Sequence, residues 1–260
     1  MRLSIDVALD YALSAPGPAI LSIEAAGALG QEILQARIDL GPLEHFARVP
    51  GEEGIGEKIV VRAADHLTCS YRAEVEVTRP RPDFAALSDV PFDQLPGDAL
   101  RYLLPSRYCP SDRFVTFAGQ QFGGLTGGAR VEAIRDWIAG HLTYVSGSST
   151  IDTTAIDSFI DRQGVCRDYA HLMITLCRAA QVPARIASVF APGVTPPDFH
   201  AVTEVYLDGA WHLIDATGMA HADQMALIAV GRDALDVAFL TTMTNATMQR
   251  QSVAISEISG

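Results

Sequence analysis

The stretch Gln163-Gly-Val-Cys-Arg-Asp-Tyr-Ala-His-Leu172 places a cysteine directly after a glycine turn and at the start of a helical pattern. From Cys166 to Ala180, apolar residues recur at intervals of three and four, which predicts a helix with one apolar face. The sulfur of Cys166 would then lie on the first turn. There, unpaired N–H groups and the positive end of the helix dipole favour a thiolate over a thiol. A nucleophile of this kind still requires a base and a group that orients the base.

A β-hairpin is predicted downstream of this helix. Residues 200–207 and 210–216 alternate in polarity on either side of an Asp-Gly pair at 208–209, which is typical of a two-residue hairpin turn. In that register His200 and Asp215 lie on the same face as diagonal cross-strand neighbours, within reach of one another. One ring nitrogen of His200 would therefore bond to the carboxylate, and the other would face the cysteine helix.

Cys166, His200 and Asp215 thus form a candidate set of nucleophile, base and orienting carboxylate. The sulfur would attack a carbonyl, and the Cys166 N–H is one donor for the resulting oxyanion. A thioester would then pass its acyl group to water or to an amine. The alternative is that each residue is structural, since a lone cysteine or histidine usually belongs to a protein core.

The other three cysteines are weaker candidates. Cys69 and Cys177 are interpreted as small buried hydrophobes. Cys109 is a rival nucleophile, but neither a helix start nor a nearby histidine supports it. The spacing of the four cysteines is too uneven for a zinc site.

The composition and net charge of the chain argue against some classes of binding partner. The chain of 260 residues is 48% hydrophobic, as expected for a globular protein, and its net charge is −12. No block of Lys and Arg is present, which argues against nucleic acid or a membrane as a partner. The first 23 residues resemble neither a signal peptide nor a spanning helix, so a cytoplasmic location is expected.

Three regions are predicted along the chain. Residues 1–80 alternate as several short strands and favour a sandwich-like β domain. Residues 81–126 form a connector, in which the turn-rich strip 104–112 is interpreted as surface. Residues 127–260 are predicted to be the catalytic domain, and a proline-rich loop at 192–198 is a candidate wall of a substrate groove.

Several segments together resemble the bacterial transglutaminase-like superfamily, of the cysteine protease type with an N-terminal β domain. The resemblance covers residues 100–240 and includes, in chain order, Leu-Pro-Ser-Arg-Tyr-Cys (104–109), Gly-Val-Cys-Arg-Asp-Tyr-Ala (164–170), Val-Pro-Ala-Arg (182–185), Asp-Phe-His-Ala (198–201), Trp-His-Leu-Ile-Asp-Ala-Thr (211–217) and Gly-Arg-Asp-Ala-Leu-Asp (231–236). It implies an α+β, papain-like core in which the cysteine helix packs on an antiparallel sheet.

The resemblance also implies roles and partners. Cys166 would be the nucleophile, His200 the base and Asp215 the group that orients it, with a peptide or protein substrate and no metal or organic cofactor. Tyr144 is a candidate oxyanion donor by analogy with relatives, with core packing as the alternative. Hydrolysis of an amide is the favoured reaction. The alternatives are a protein-glutamine transglutaminase and a non-catalytic protein-binding module, and the oligomeric state is left open.

The remaining polar residues of these segments are assigned no part in the chemistry. Asp168 and Arg167 follow the motif of the resemblance, but a solvated first turn of the helix explains them equally well. His171 is interpreted as structural, because it lies well off the face of Cys166. His212 is predicted to point away from His200, and the others are interpreted as unassigned (Asp198, Glu204, His221) or as a helix cap with ion pairs (Arg232, Asp233, Asp236).

Overall fold

The computed structural model of the chain describes residues 1–258. Its β-strands are β1 (Arg2–Leu13), β2 (Gly17–Leu21), β3 (Gln31–Asp39), β4 (His45–Pro50), β5 (Glu57–Ala63), β6 (His66–Val77), β7 (Thr143–Tyr144), β8 (Gln163–Gly164), β9 (Ala184–Phe190), β10 (His200–Leu207), β11 (Ala210–Ile214), β12 (Ala226–Gly231), β13 (Leu240–Thr242) and β14 (Ala246–Glu257). Its α-helices are α1 (Gly97–Leu100), α2 (Val115–Phe122), α3 (Gly127–His141), α4 (Ala155–Asp161), α5 (Cys166–Ala179) and α6 (Ala234–Val237). No helix in this range is both long enough and apolar enough to span a membrane.

Two four-stranded antiparallel sheets form the amino-terminal sandwich. Their strand orders are β14-β1-β6-β3 and β13-β2-β5-β4. Alternate residues of β1 and β6 are buried, so each strand presents one apolar face, as the sequence pattern predicts. Inward residues of both sheets, such as Ile5 of β1 and Val61 of β5, belong to one apolar cluster. The two sheets therefore share a core.

The last strands of the chain complete this sandwich. β14 pairs antiparallel with β1 from Leu3↔Glu257 to Leu13↔Ala246, and β13 pairs with β2. The prediction that residues 127–260 form one catalytic domain is therefore wrong for the segment 240–257. Local periodicity identifies a strand but not its partner, and this partner lies more than 200 residues away in the chain. Without β14, the outer edge of β1 would expose unpaired backbone groups.

The second unit is an antiparallel sheet with a buried helix across it. The strand order is β11-β10-β9-β12, and α5 contacts β10 and β9. All seven residues of β9 are buried, and from Asp168 to Ala179 every residue of α5 is buried. The predicted cysteine helix and the predicted strand at 184–190 are confirmed, and so is the hairpin register, since Leu207 pairs with Ala210.

The connector is more ordered than predicted. Residues 81–126 contain α1, α2 and several 3₁₀ turns, and Tyr108 and Cys109 are buried instead of lying on the surface. The buried guanidinium of Arg178 explains part of this order, because it donates to the carbonyl of Leu104 at 3.0 Å and to Ser106 Oγ at 3.2 Å. This segment is buried because it supplies acceptors to a buried cation. Its sequence therefore lacks the apolar periodicity by which buried elements are recognised.

A charged cluster joins the sandwich to the second unit. Arg185 of β9 is 2% exposed, and it donates to Glu204 of β10 at 2.7 Å and to Glu53, from the turn before β5, at 2.6 Å. The Tyr102 hydroxyl donates to the other oxygen of Glu53 at 2.6 Å, and the guanidinium lies 4.1 Å from the ring centre of Trp211. Glu204, to which the sequence assigns no role, is therefore one half of a buried ion pair.

Candidate active site

A buried histidine–carboxylate pair lies at one end of the hairpin. His200 is the first residue of β10, and Asp215 follows the last residue of β11. Nε2 of His200 lies 2.9 Å from Asp215 Oδ2, and both side chains are almost completely inaccessible to solvent. The hairpin register places them diagonally, as the sequence predicts, because Thr203 pairs with Ile214.

The loop after β11 holds Asp215 as an anion. Its Oδ1 accepts from the Thr217 N–H and hydroxyl, both at 2.8 Å, and its Oδ2 accepts from the N–H groups of Met219 and Ala220, both at 3.1 Å. Burial raises the pKa of Asp215, but the hydrogen bonds from His200 and Thr217 outweigh it, so the pKa is lowered. Asp215 is therefore charged at neutral pH despite being buried.

The pKa of His200 is shifted in the opposite direction from that of Asp215. Burial lowers its pKa, but the hydrogen bond with Asp215 and the neighbouring Cys166 side chain raise the pKa to about 10. The ring is thus an imidazolium at neutral pH. Its Nδ1 has no hydrogen-bond partner among residues 1–258, so this nitrogen remains available for proton transfer.

Cys166 differs from the other cysteines in exposure. All four are free thiols within the described residues, and Cys166 alone is partly exposed. Burial raises the pKa of Cys69, Cys109 and Cys177 to about 12 in each case. Cys109 is fully buried, which removes the rival nucleophile that the sequence left open. Cys166 is the first residue of α5, so its N–H has no acceptor within the helix.

Asp168 fixes the turn that presents Cys166. Its Oδ2 accepts from the Val165 N–H at 2.8 Å and its Oδ1 from the Ser149 hydroxyl at 2.9 Å. The alternative of a solvated first turn is therefore wrong for Asp168, since this side chain is completely buried. A carboxylate three residues after the N-cap is a known signal of a helix N-terminus. The sequence contains this signal, since Asp168 follows Val165 by three residues. A side chain at Gly164 would come within 2.6 Å of Asp168 Cβ, so the glycine is required for this close approach.

Arg167 holds the loop on the other side of this turn. It donates to Ser149 Oγ at 2.5 Å and to the carbonyl of Thr150. It therefore braces residues 149–150 against the first turn of α5 instead of extending into solvent.

Tyr144 is brought beside Cys166 by a short parallel ladder. Tyr144 of β7 pairs with Gly164 of β8, and the Val145 N–H donates to the Gly164 carbonyl at 3.0 Å. The pKa of Tyr144 is raised to about 12 by burial and by the Cys166 side chain, while the Cys166 N–H acts in the opposite direction. The phenol is therefore protonated at neutral pH. The centre of its ring lies 6.0 Å from the centre of the Tyr169 ring. The position fits both an oxyanion donor and partial packing.

Two other histidines of the segments that resemble the superfamily, His171 and His212, have partners of their own. His171 is buried, stacks on Tyr108 at 5.0 Å and accepts from the Ala234 N–H at 3.1 Å. His212 contacts the carbonyl of Leu207 at 3.1 Å.

The predicted helix cap and ion pair near residue 233 are present. Asp233 accepts from the Leu235 N–H at 3.1 Å, and Arg232 pairs with Asp236 at 3.1 Å. Within residues 1–258, no group of three or more His, Cys, Asp or Glu side chains is arranged to hold a metal ion.

The arrangement defines a class of protein. A helix that begins at a cysteine and packs across an antiparallel sheet with a histidine–aspartate pair is a papain-like α+β core. The family model of the transglutaminase-like superfamily matches residues 117–216, which include all three of these side chains. A crystal structure described as "a Putative Cysteine Protease from Cytophaga hutchinsonii" is 33% identical, covers 100% of this chain and 91% of its own, and superposes with a TM-score of 0.92. The chain belongs to the transglutaminase-like superfamily.

Two curated relatives match only part of the chain. An uncharacterized protein of Mycobacterium leprae is 26% identical over 145 residues, which is 52% of each protein. Human kyphoscoliosis peptidase is 33% identical over 100 residues, which is 34% of this chain and 15% of the human protein. The chain thus spans about half the length of the first relative and a small part of the second. The predicted fold class and family are confirmed by the superfamily match and the crystal structure.

Proposed function

We propose that the chain is a cysteine-nucleophile acyl-transfer enzyme, which acts on peptide or protein amides through a thioester and favours hydrolysis. The observation that supports it most directly is the His200 ring. One nitrogen bonds to a buried, charged Asp215, and the other has no hydrogen-bond partner within residues 1–258. The Cys166 side chain lies beside the same ring. This is the relation of nucleophile, base and orienting group that covalent catalysis requires.

The first half of the reaction forms the acyl-enzyme. In the reactive form, Cys166 is a thiolate beside the His200 imidazolium, and this thiolate attacks the amide carbonyl. The carbonyl π electrons move to oxygen, and the Cys166 N–H and the Tyr144 hydroxyl donate to the resulting oxyanion. As the carbonyl reforms, the C–N bond breaks and His200 gives its proton to the departing amine. A thioester on Cys166 and a neutral His200 remain.

The second half releases the acyl group. Neutral His200 takes a proton from a water molecule while the water oxygen attacks the thioester carbonyl. Collapse of the second tetrahedral intermediate breaks the C–S bond and returns the thiolate, leaving a carboxylic acid product. A primary amine that replaced the water would give a new amide instead. Neither half requires a metal or an organic cofactor.

Asp215 keeps the His200 ring in one orientation through both halves. Its charge is maintained by five hydrogen-bond donors from the loop after β11 and from His200 itself. The base therefore returns to the same position after each proton transfer.

A matched pair of cysteine variants tests the proposal. Cys166→Ala should abolish ammonia release from a glutamine-containing protein and the cleavage of peptide amides, with an unchanged thermal unfolding midpoint. Cys177→Ala, on the same helix but fully buried, should retain turnover. Iodoacetamide at about pH 6 should alkylate one cysteine in the wild type and in Cys177→Ala, and none in Cys166→Ala. Full turnover by Cys166→Ala would refute the proposal.

The acyl acceptor is measured separately. Adding a labelled primary amine and comparing its incorporation with the release of free acid separates amine transfer from hydrolysis. Alkylation of Cys166 as slow as that of a buried cysteine, with no turnover, would instead favour a non-catalytic binding module.

A further inference from the structure

The loop between β9 and β10 places a carboxylate near the candidate active site. This loop, residues 191–199, leads directly into His200, and Asp198 lies two residues before that histidine. Its base is fixed, because Val194 is buried against the cluster that contains Ala220 and Met225. A side chain at Gly193 would come within 2.3 Å of a backbone carbonyl of the neighbouring loop. Packing therefore fixes the start of the loop, and β10 fixes its end at His200.

One oxygen of Asp198 is bound and the other is not. Oδ1 accepts from the Phe199 N–H at 2.8 Å and from Gln251 Nε2, on β14 of the sandwich, at 2.8 Å. Gln251 is held in turn by the Tyr11 hydroxyl, which donates to its Oε1 at 2.9 Å. Oδ2 makes no hydrogen bond or ion pair within residues 1–258, and the residue is partly exposed.

The Asp198 carboxylate belongs to the segment that leads directly into His200. Its negative charge helps to raise the pKa of both Tyr144 and Tyr11, so it lies within electrostatic range of the phenol that adjoins Cys166 on one side and of the sandwich on the other. Its hydrogen bond with Gln251 of β14 places it at the boundary between the two units, two residues before the candidate base His200.

Within residues 1–258, no basic side chain forms an ion pair with Asp198. Arg167 is committed to Ser149 and Thr150, and His200 to Asp215. Arg250 is adjacent to Gln251 in β14, so its side chain points to the opposite face of that strand. Two residues before His200, the chain thus carries an oriented carboxylate with one oxygen that is unpaired within residues 1–258.

We propose that Asp198 is a specificity-determining residue that selects substrates with a cationic amine or guanidinium close to the reacting acyl group. This rests on the proposed function, since it concerns what reaches Cys166. A partly shielded anion at a protein surface attracts a cation more strongly than one in bulk water does, and it repels anionic substrates. The cation belongs either to a basic side chain of the acyl donor or to a diamine acceptor.

The charge preference can be measured without a known substrate. Cys166 would be modified with 2-aminoethyl methanethiosulfonate, a cation, and 2-sulfonatoethyl methanethiosulfonate, an anion. Each forms a disulfide with the thiolate and releases methanesulfinate. Because the other three cysteines are buried, the rates report on Cys166. The cation-to-anion rate ratio should fall about tenfold in Asp198→Asn, whose amide oxygen still accepts from Phe199 and Gln251.

A control separates local charge from net charge. Asp65→Asn removes the same charge from an exposed turn of the sandwich and should change the ratio by less than about twofold. Equal ratios in Asp198→Asn and Asp65→Asn would overturn the proposal.

Turnover assays then identify the source of the cation. Glutamine peptides with Lys or norleucine beside the glutamine test the donor, and cadaverine against pentylamine tests the acceptor. If the wild type prefers the charged substrate of one pair and Asp198→Asn abolishes that preference, the cation belongs to that pair, either donor or acceptor. Wild-type turnover without preference in either arm overturns the proposal and leaves the proposed function intact. Turnover that survives in Cys166→Ala refutes the proposed function itself, independently of the Asp198 result.

Discussion

Two histidines of this protein are both buried, and their protonation is opposite. His171, in the middle of α5, has no carboxylate partner in the part of the chain that the structure describes, and burial together with Arg167 and Arg178 lowers its pKa to about 3. His200 is equally inaccessible, but its bond with Asp215 and the adjacent Cys166 raise its pKa to about 10. Burial alone makes a histidine neutral and suited to packing. A carboxylate in the same surroundings makes it a charged group that can lose and regain a proton.

The largest expected effect is a difference in turnover when the same substitution, histidine to glutamine, is made at His200 and at His171. His200→Gln should lower kcat/KM for amide hydrolysis by about 10³-fold or more, because no base remains. His171→Gln should retain turnover within about threefold and lower the thermal unfolding midpoint, since the stack on Tyr108 is lost. Steady-state kinetics and thermal unfolding of both variants give the result. Comparable losses of turnover would show that the two histidines do not differ in function.

Removing the carboxylate should make His200 resemble His171. In Asp215→Asn the largest remaining influence on the ring is burial, which lowers its pKa, so the imidazolium is lost at a lower pH than in the wild type. The alkaline limb of kcat/KM against pH should therefore move to lower pH, and the maximal rate should fall by about 10² to 10³-fold, less than in His200→Gln. An alkaline limb at the wild-type pH would contradict the role of Asp215.

Tyr144→Phe should have a smaller effect. The variant keeps the ring that contacts Tyr169 and loses only the hydroxyl, so the fold should be unchanged. Loss of one oxyanion donor should lower kcat by about 10 to 10²-fold with little change in KM. Wild-type kcat in Tyr144→Phe would assign the residue to packing alone.

The smallest expected effect is on stability against pH. The folded-state pKa of His171 is below its ordinary value of 6.5, so the unfolded chain binds the extra proton and stability falls as pH decreases from 6.5 towards 3. The folded-state pKa of His200 is raised, so its contribution is fully present below 6.5 and is lost as pH rises through about 10.

Urea unfolding at a series of pH values separates the two contributions. His200→Gln should reduce the alkaline loss of stability, and His171→Gln the acidic one. Profiles in which each variant altered the other limb would contradict the assigned protonation states.

Much of the candidate site was predictable because its parts are local. The start of α5 at Cys166 follows from a glycine turn and apolar periodicity, and the approach of His200 to Asp215 follows from the register of one tight hairpin. Each depends on residues within about 20 positions of one another. The predicted strand at 184–190 was equally local, since its apolar run is bounded by turns.

Only the tertiary structure decided the rest, because sequence spacing does not state which distant groups meet. Asp168 follows the pattern of a solvated first turn, yet Ser149 and the Val165 N–H satisfy it in the interior. The sequence gives no indication that β14 pairs with β1 and brings Gln251 to Asp198, since these contacts join residues 53 or more positions apart. Periodicity determines which face of an element is buried, whereas the partners of its polar groups depend on how separate elements pack.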